Sequence, residues 1–290
     1  MPGRIAVRRR RTVYRINVKR FAVVVVLLAA VIMLAILLHL KQSFQLTGYS
    51  PHDFHPDQLL MYFSIGSREG VPWHYLAAVD KAEEIPGEEL SSGRSSEVAL
   101  ALAGIRGDGQ LPDFLKLYRD DGDFIERVLG EVKKFTGLLR VYEDKGFPID
   151  PSCNYYYQDS YGDGRSYGGA RRHEGIDIMC NMGVPVYSVG DGVIEQAGWN
   201  EYGGWRIGIR GTDGVYYYYA HLSKYQGRPD KGDRVKKGQL IGYAGDSGYG
   251  PEGTTGQFAP HLHFGMYTGP GSKLKAFNPY PFLKTWEGLD

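Results

Sequence analysis

Residues 21–38 form a run of 18 consecutive side chains without a polar group. A run of that length is enough for one helix to span the hydrocarbon core of a bilayer. Eight arginines and lysines lie between Arg4 and Arg20, and the first 20 residues contain no acid. Positive charge stays on the cytoplasmic side of a membrane. The expectation is a basic cytoplasmic tail over 1–20 and a transmembrane helix over 21–40, with the rest extracytoplasmic. That is a single-pass protein of the cell membrane. A cleaved signal peptide would have a shorter apolar core and a small-x-small site, and none follows Leu40. The arginine run alone would suit nucleic acid, but the whole chain of 290 residues carries a net charge of only +1. No nucleic-acid partner is expected.

Residues 41–150 read as a helical extracytoplasmic segment. Ile125, Val128, Leu129, Val132, Phe135 and Leu139 recur at three- and four-residue spacing, which puts them on one helix face. Pro56 and Pro72 stand near the starts of apolar-periodic stretches, where proline is tolerated. His52, His55 and His74 lack a third ligand motif and read as surface histidines. Residues 70–84 faintly resemble the first catalytic helix of lysozyme-like transglycosylases, with Glu83 where a general acid belongs. The later Gly- and Gln-containing motif of that family is missing, so a helical spacer with solvated glutamates is the better reading.

Near residue 150 the pattern changes. Residues 151–290 hold 27 of the 40 glycines and 16 of the 22 tyrosines, and the apolar period drops to two. The runs 205–210 and 215–222, joined by Gly211-Thr212-Asp213-Gly214, predict a hairpin, because Asp-Gly supplies the positive φ of a tight turn. Further short strands are expected at 184–187, 192–194 and 240–243. The fold class is therefore α+β, with a mostly antiparallel β C-terminal domain.

Four histidines fall in this domain. His173-Glu174-Gly175-Ile176-Asp177 is an HxxxD motif, and His261-Leu262-His263 is an HxH motif. Alternation along a strand puts His261 and His263 on one face and Leu262, Phe264 and Met266 on the other, which can fill a core. His221 is expected on the face of Tyr217 and Tyr219. Imidazoles and a carboxylate suit zinc, and a catalytic zinc uses three protein ligands and leaves one position for water. Surplus histidines are then available for proton transfer or for steadying an oxyanion.

From about residue 167 to 283 the chain closely resembles the M23 family of zinc metallopeptidases, the lysostaphin-like peptidoglycan endopeptidases. His173-x-Gly175-x-Asp177, Pro185-Val186-Tyr187-Ser188, Asp191-Gly192-Val193, Tyr219-x-His221-Leu222, Val235-Lys236-Lys237-Gly238-Gln239-x-Ile241-Gly242 and His261-Leu262-His263-Phe264 appear in that family's order. The resemblance implies one zinc per chain, held by His173, Asp177 and His263. It implies that His221 and His261 act on water and the transition state. It implies that Tyr167, six residues before His173, stabilises the oxyanion, with Tyr161 as a substitute. It also implies an open groove over an antiparallel sheet, and peptidoglycan peptides as substrate. The anchor, the helical segment and Gln257-Phe258-Ala259-Pro260-His261 together resemble the sporulation-associated L-Ala-D-Glu endopeptidases of spore formers.

The connection 249–259 is longer than is usual in that family and is expected to line the groove. Arg171 and Arg172 could meet acidic peptide carboxylates or form a solvated loop. Some family members have lost their ligands and serve as scaffolds or activators of other wall enzymes, but here all five positions are intact. A lipoyl- or biotinyl-type carrier, suggested by residues 232–239, has no use for HxxxD and HxH. Cys153 and Cys180 could pair in an oxidising exterior or remain two buried thiols.

Overall fold

Strands form after residue 150 because β-branched and aromatic residues recur at alternate positions between glycine-rich turns. The computed structural model describes residues 31–33, 48–85, 91–105, 108–271 and 273–288. The apolar run 21–38 lies outside them except for 31–33, which are helical. No helix among the described residues is long and apolar enough to cross a membrane. The chain divides into two compact units, Met1–Gln42 and Ser43–Asp290.

Among the described residues, six α-helices precede the sheet: α1 (Pro56–Glu69), α2 (Trp73–Ala82), α3 (Ser92–Ala101), α4 (Leu111–Tyr118), α5 (Gly122–Lys134) and α6 (Thr136–Tyr142). Their limits follow ordinary capping chemistry. Pro56 occupies the first turn of α1, and Gly70 ends that helix at φ 67°, a conformation that costs glycine little. Asp121 caps α5 by accepting the Phe124 N–H. The face predicted along α5 buries Ile125 and Val128, but the helix ends at Phe135. Leu139 therefore belongs to α6, where Leu138 and Val141 are the buried pair.

Twelve strands follow among the described residues: β1 (Tyr155–Tyr156), β2 (Gly164–Arg165), β3 (Arg171–Arg172), β4 (Ile176–Cys180), β5 (Pro185–Tyr187), β6 (Gly192–Asn200), β7 (Gly204–Gly211), β8 (Tyr216–Tyr225), β9 (Arg234–Val235), β10 (Leu240–Ala244), β11 (His261–Thr268) and β12 (Lys275–Phe277). Ten of them form one sheet with the path β1-β4-β11-β8-β7-β6-β9, onto which β5, β10 and β12 attach. Its pairings are antiparallel, as the sequence predicts. β2 and β3 form a separate two-stranded ribbon. The predicted hairpin joins β7 to β8, with Gly214 at φ 89°.

The last helix, α7 (Tyr280–Trp286), closes the core. Trp286 lies against Phe264 and Tyr217 of the sheet, its indole N–H donates to the Tyr142 carbonyl, and Phe282 meets Phe63 of α1. Leu262, Phe264 and Met266 are all fully buried here, as alternation along β11 requires. The opposite face of β11 is left to the histidines.

The three histidines of the helical segment are not all at the surface. His74 is buried because α2 is covered nearly all round, with nine of its ten residues buried, and His52 bonds the Thr268 hydroxyl at 2.7 Å. His55 is exposed and caps α1. Glu83, at the end of α2, is committed to ion pairs with Arg94 and Arg119. A glycosidase acid must hold a proton, and two guanidinium partners oppose that role.

Candidate metal centre and groove

The central position of β11 assembles the site. His263 lies opposite Asp177 of β4 on one side and opposite Ala220 of β8 on the other. His173, four residues before Asp177, reaches the same point from the loop ahead of β4. The His173 Nε2, Asp177 Oδ1 and His263 Nδ1 atoms lie 2.9–3.0 Å apart. The three predicted ligands are therefore brought together.

Their hydrogen bonds fix which atoms face inward. The His173 Nδ1–H donates to the Ser160 carbonyl at 2.9 Å, so its Nε2 lone pair points at the other two donors. Burial alone would push the Asp177 carboxyl up. The close approach of the His173 and His263 rings outweighs that and holds it far below the usual carboxylate range. Its second oxygen accepts from Arg165 Nη2 at 2.5 Å. Gly175 is a requirement of the packing. A Cβ there would lie 2.5 Å from the Phe264 carbonyl and 2.8 Å from the His263 ring.

Three lone-pair donors converging on one point suit a cation. In a tetrahedral zinc site with bonds of about 2.0–2.2 Å, the ligand atoms stand roughly 3.3–3.6 Å apart, so the three atoms here need to separate by only about half an ångström. The donor set of two imidazoles and one carboxylate also fits zinc.

His261 and His221 stand beside this cluster. The His261 Nδ1–H donates to the Ala259 carbonyl at 2.8 Å, and the His221 Nδ1–H donates to the Ser247 carbonyl at 2.7 Å. Both rings thus keep Nε2 toward the groove, 4.7 Å apart centroid to centroid. Burial, then the neighbouring histidines, hold His221 well below the ordinary imidazole value, so it is neutral.

His221 does not share the face of Tyr217 and Tyr219, as strict alternation predicts. Those two tyrosines are buried in the core, whereas His221 lines the groove with Tyr218. The reason is a β-bulge. Tyr219 pairs Ile207 and Leu222 pairs Trp205, so β8 has one more residue than β7 across this stretch. His221 takes φ 60° there, and its N–H bonds the Gly203 carbonyl. Bulges re-aim side chains in this way.

The groove has a volume of about 590 Å³, and its lining includes all six predicted site residues. Tyr167 stacks on Tyr249 with ring centroids 4.3 Å apart, and its hydroxyl donates to Glu201. Tyr161 packs against the core instead. The long connection 249–259 does line the groove, through Tyr249 and Phe258, and Phe258 sets its ring against His221 at 4.5 Å. Sequence reasoning missed Arg165 and the three carbonyl anchors. A carbonyl carries no residue signature, and Arg165 belongs to no recognisable spacing. Cys153 and Cys180 are free thiols in this structure.

Comparison with known proteins agrees with this geometry. Peptidase family M23 matches residues 171–279, a span that holds His173, Asp177, His221, His261 and His263. The L-Ala--D-Glu endopeptidase of Bacillus subtilis (strain 168) is 34% identical over 78% of this chain and 87% of its own length. The glycyl-glycine endopeptidase ALE-1 of Staphylococcus capitis is 45% identical, over 39% of this chain and 29% of its own length. A crystal structure from Ruminococcus gnavus ATCC 29149, named for the glycyl-glycine endopeptidase lytM, has a TM-score of 0.50. It is 35% identical and is matched over 76% of this chain and 89% of that one. Similarity over nearly the whole length of one relative, with the HxxxD and HxH residues gathered at one point, leads to one conclusion: this chain is an endopeptidase of peptidase family M23.

Proposed function

We propose that the protein is a membrane-anchored zinc endopeptidase that hydrolyses the L-Ala–D-Glu bond of peptidoglycan stem peptides. The convergence of His173, Asp177 and His263 on one point supports the chemistry most directly. Similarity to the Bacillus subtilis enzyme over 87% of that protein's length supports the bond. The spore cortex as the setting rests on the resemblance alone.

His173, Asp177 and His263 would hold the zinc. When bound at such a site, zinc polarises a carbonyl and acidifies water. The chain's own residues do the rest. Either His261 or His221 accepts the proton of the attacking water at Nε2, since each Nδ1–H is already committed to a carbonyl. The other steadies the oxyanion, and the Tyr167 hydroxyl joins it on turning from Glu201, to which it donates here. Tyr249, Phe258 and Tyr202 line the groove and offer aromatic walls to a peptide. All five histidine and aspartate positions are intact, which supports hydrolysis over a scaffold role.

The anchor reading rests on the apolar run and its basic flank. It puts the N-terminus in the cytoplasm and residues 41–290 outside the membrane. To test the bond, purified peptidoglycan is digested and the new amino termini are identified by mass spectrometry. Amino-terminal D-Glu that disappears with chelator is the expected product. Termini at glycine or at the D-Ala cross-link would contradict the assignment.

A further inference from the structure

The two-stranded ribbon β2–β3 overhangs the groove with an unusual charge pattern. Arg165 and Arg171 are paired directly across it. Cross-strand partners share a face, and like charges placed opposite each other destabilise a strand pair. Both side chains turn toward the groove. Arg165 reaches Asp177, and Arg171 reaches Tyr249, donating to its hydroxyl at 3.2 Å.

The compensation for these two charges is incomplete. Arg171 lies over the Tyr202 and Tyr249 rings at 5.0 and 5.7 Å and bonds the Tyr167 carbonyl. None of these contacts, among the described residues, is a carboxylate. Arg165 has one carboxylate, Asp177, which is also a proposed metal ligand. Arg172, next along β3, also borders the groove but is exposed, with its Nη1 on the Gly162 carbonyl. Glu174 also lines the groove, yet among the described residues it makes no ion pair with either arginine, so two guanidiniums beside the cleavage site share one bonded carboxylate and can take an anion from outside the chain.

We infer that Arg165 and Arg171 form the subsite for the free carboxylate of the glutamate that follows the cleaved bond. This inference rests on the reading of that bond as L-Ala–D-Glu. Glutamate joined into a chain through either carboxyl leaves the other free, and a Gly–Gly bond offers none. Arginine is suited to this task because its planar fork matches a carboxylate. The rings of Tyr202 and Tyr249 hold the Arg171 guanidinium in place before substrate arrives. The ribbon thus sets specificity, while the cluster on the sheet performs hydrolysis.

The test uses two stem peptides that differ only in that carboxyl, one free and one converted to its amide. Wild-type enzyme and the variants Arg171→Gln and Arg171→Lys are compared for kcat/KM and for equilibrium binding. Charged hydrogen bonds of this type are worth about tenfold to a hundredfold in discrimination. Wild type is expected to favour the acid by that factor. R171Q should bring the ratio to within about threefold, mainly through KM, and R171K should keep part of it. Equal handling of acid and amide by wild type, or a full wild-type ratio in R171Q, would overturn the subsite. Binding is measured separately so that the subsite is tested even if another bond is cut. Wild type that binds the acid tightly yet cuts elsewhere would contradict the bond assignment while supporting the arginines.

Discussion

A methyl group has no room at Gly175. Its Cβ would press on the Phe264 carbonyl and on the His263 ring that must face Asp177, and β11 cannot retreat because Phe264 is fully buried behind it. Gly175→Ala should therefore lower zinc affinity and activity by at least about tenfold while the protein stays folded, which metal analysis beside circular dichroism would check. A second residue-scale expectation concerns Cys180, whose thiol is pushed up by burial from 9.0 to about 11. Thiolate is the reactive form. At pH 8 about a tenth of an ordinary thiol at 9.0 is ionised, against roughly a thousandth at 11. Alkylation of Cys180 in the folded protein should be about a hundredfold slower than after denaturation, and should accelerate as pH rises toward 11. Mass spectrometry of timed iodoacetamide reactions measures this. At this scale His173, Asp177, His261 and His263 were legible, because HxxxD and HxH survive any loop geometry and alternation orients β11. The orientation of His221 was not. It depends on one extra residue in β8 relative to β7, a property of the pair that neither strand shows alone.

Between elements, the helical segment is tied to the sheet by a buried ion pair. Lys145, in the chain leaving α6, sets its ammonium 3.1 Å from Asp213 in the β7–β8 turn, and both side chains are under 10% exposed. Two backbone carbonyls, of Arg140 and Glu143, accept from the same ammonium. Asp213 also accepts the Tyr217 hydroxyl and the Val215 N–H. Removing one partner leaves a buried charge without compensation, at a cost of about 3–5 kcal/mol. Lys145→Ala should lose that much in urea unfolding, and Lys145→Met with Asp213→Asn should lose clearly less. The elements themselves were legible where local rules decide them: Pro56 opens α1, and Asp213-Gly214 turns the hairpin. The Lys145–Asp213 pair joins residues 68 apart in sequence, and no local pattern announces it. The same holds for the turn of α5 into α6 at Phe135, where packing interrupts a periodic apolar face.

At the scale of the whole molecule, the division at residue 43 separates the basic, apolar N-terminus from the unit that carries the site. On the anchored reading, the full chain should sediment with membranes and resist a salt wash, whereas residues 43–290 should remain in the supernatant and still open wall peptides. Equal partitioning of both would remove the anchor. The composition change near residue 150 marked where the chemistry begins, but it did not reveal how α7 returns to pack against both α1 and the sheet. The central claim is that one metal at His173, Asp177 and His263 is the reaction centre. Titrating zinc into the metal-stripped full chain, with bound zinc and peptide cleavage read from the same samples, tests it most directly. Activity should rise in proportion to bound zinc and stop at one ion per chain, and His263→Ala should neither retain the ion nor cleave. Cleavage by the metal-stripped chain, or by a His263→Ala protein holding a full equivalent of zinc, would contradict the account.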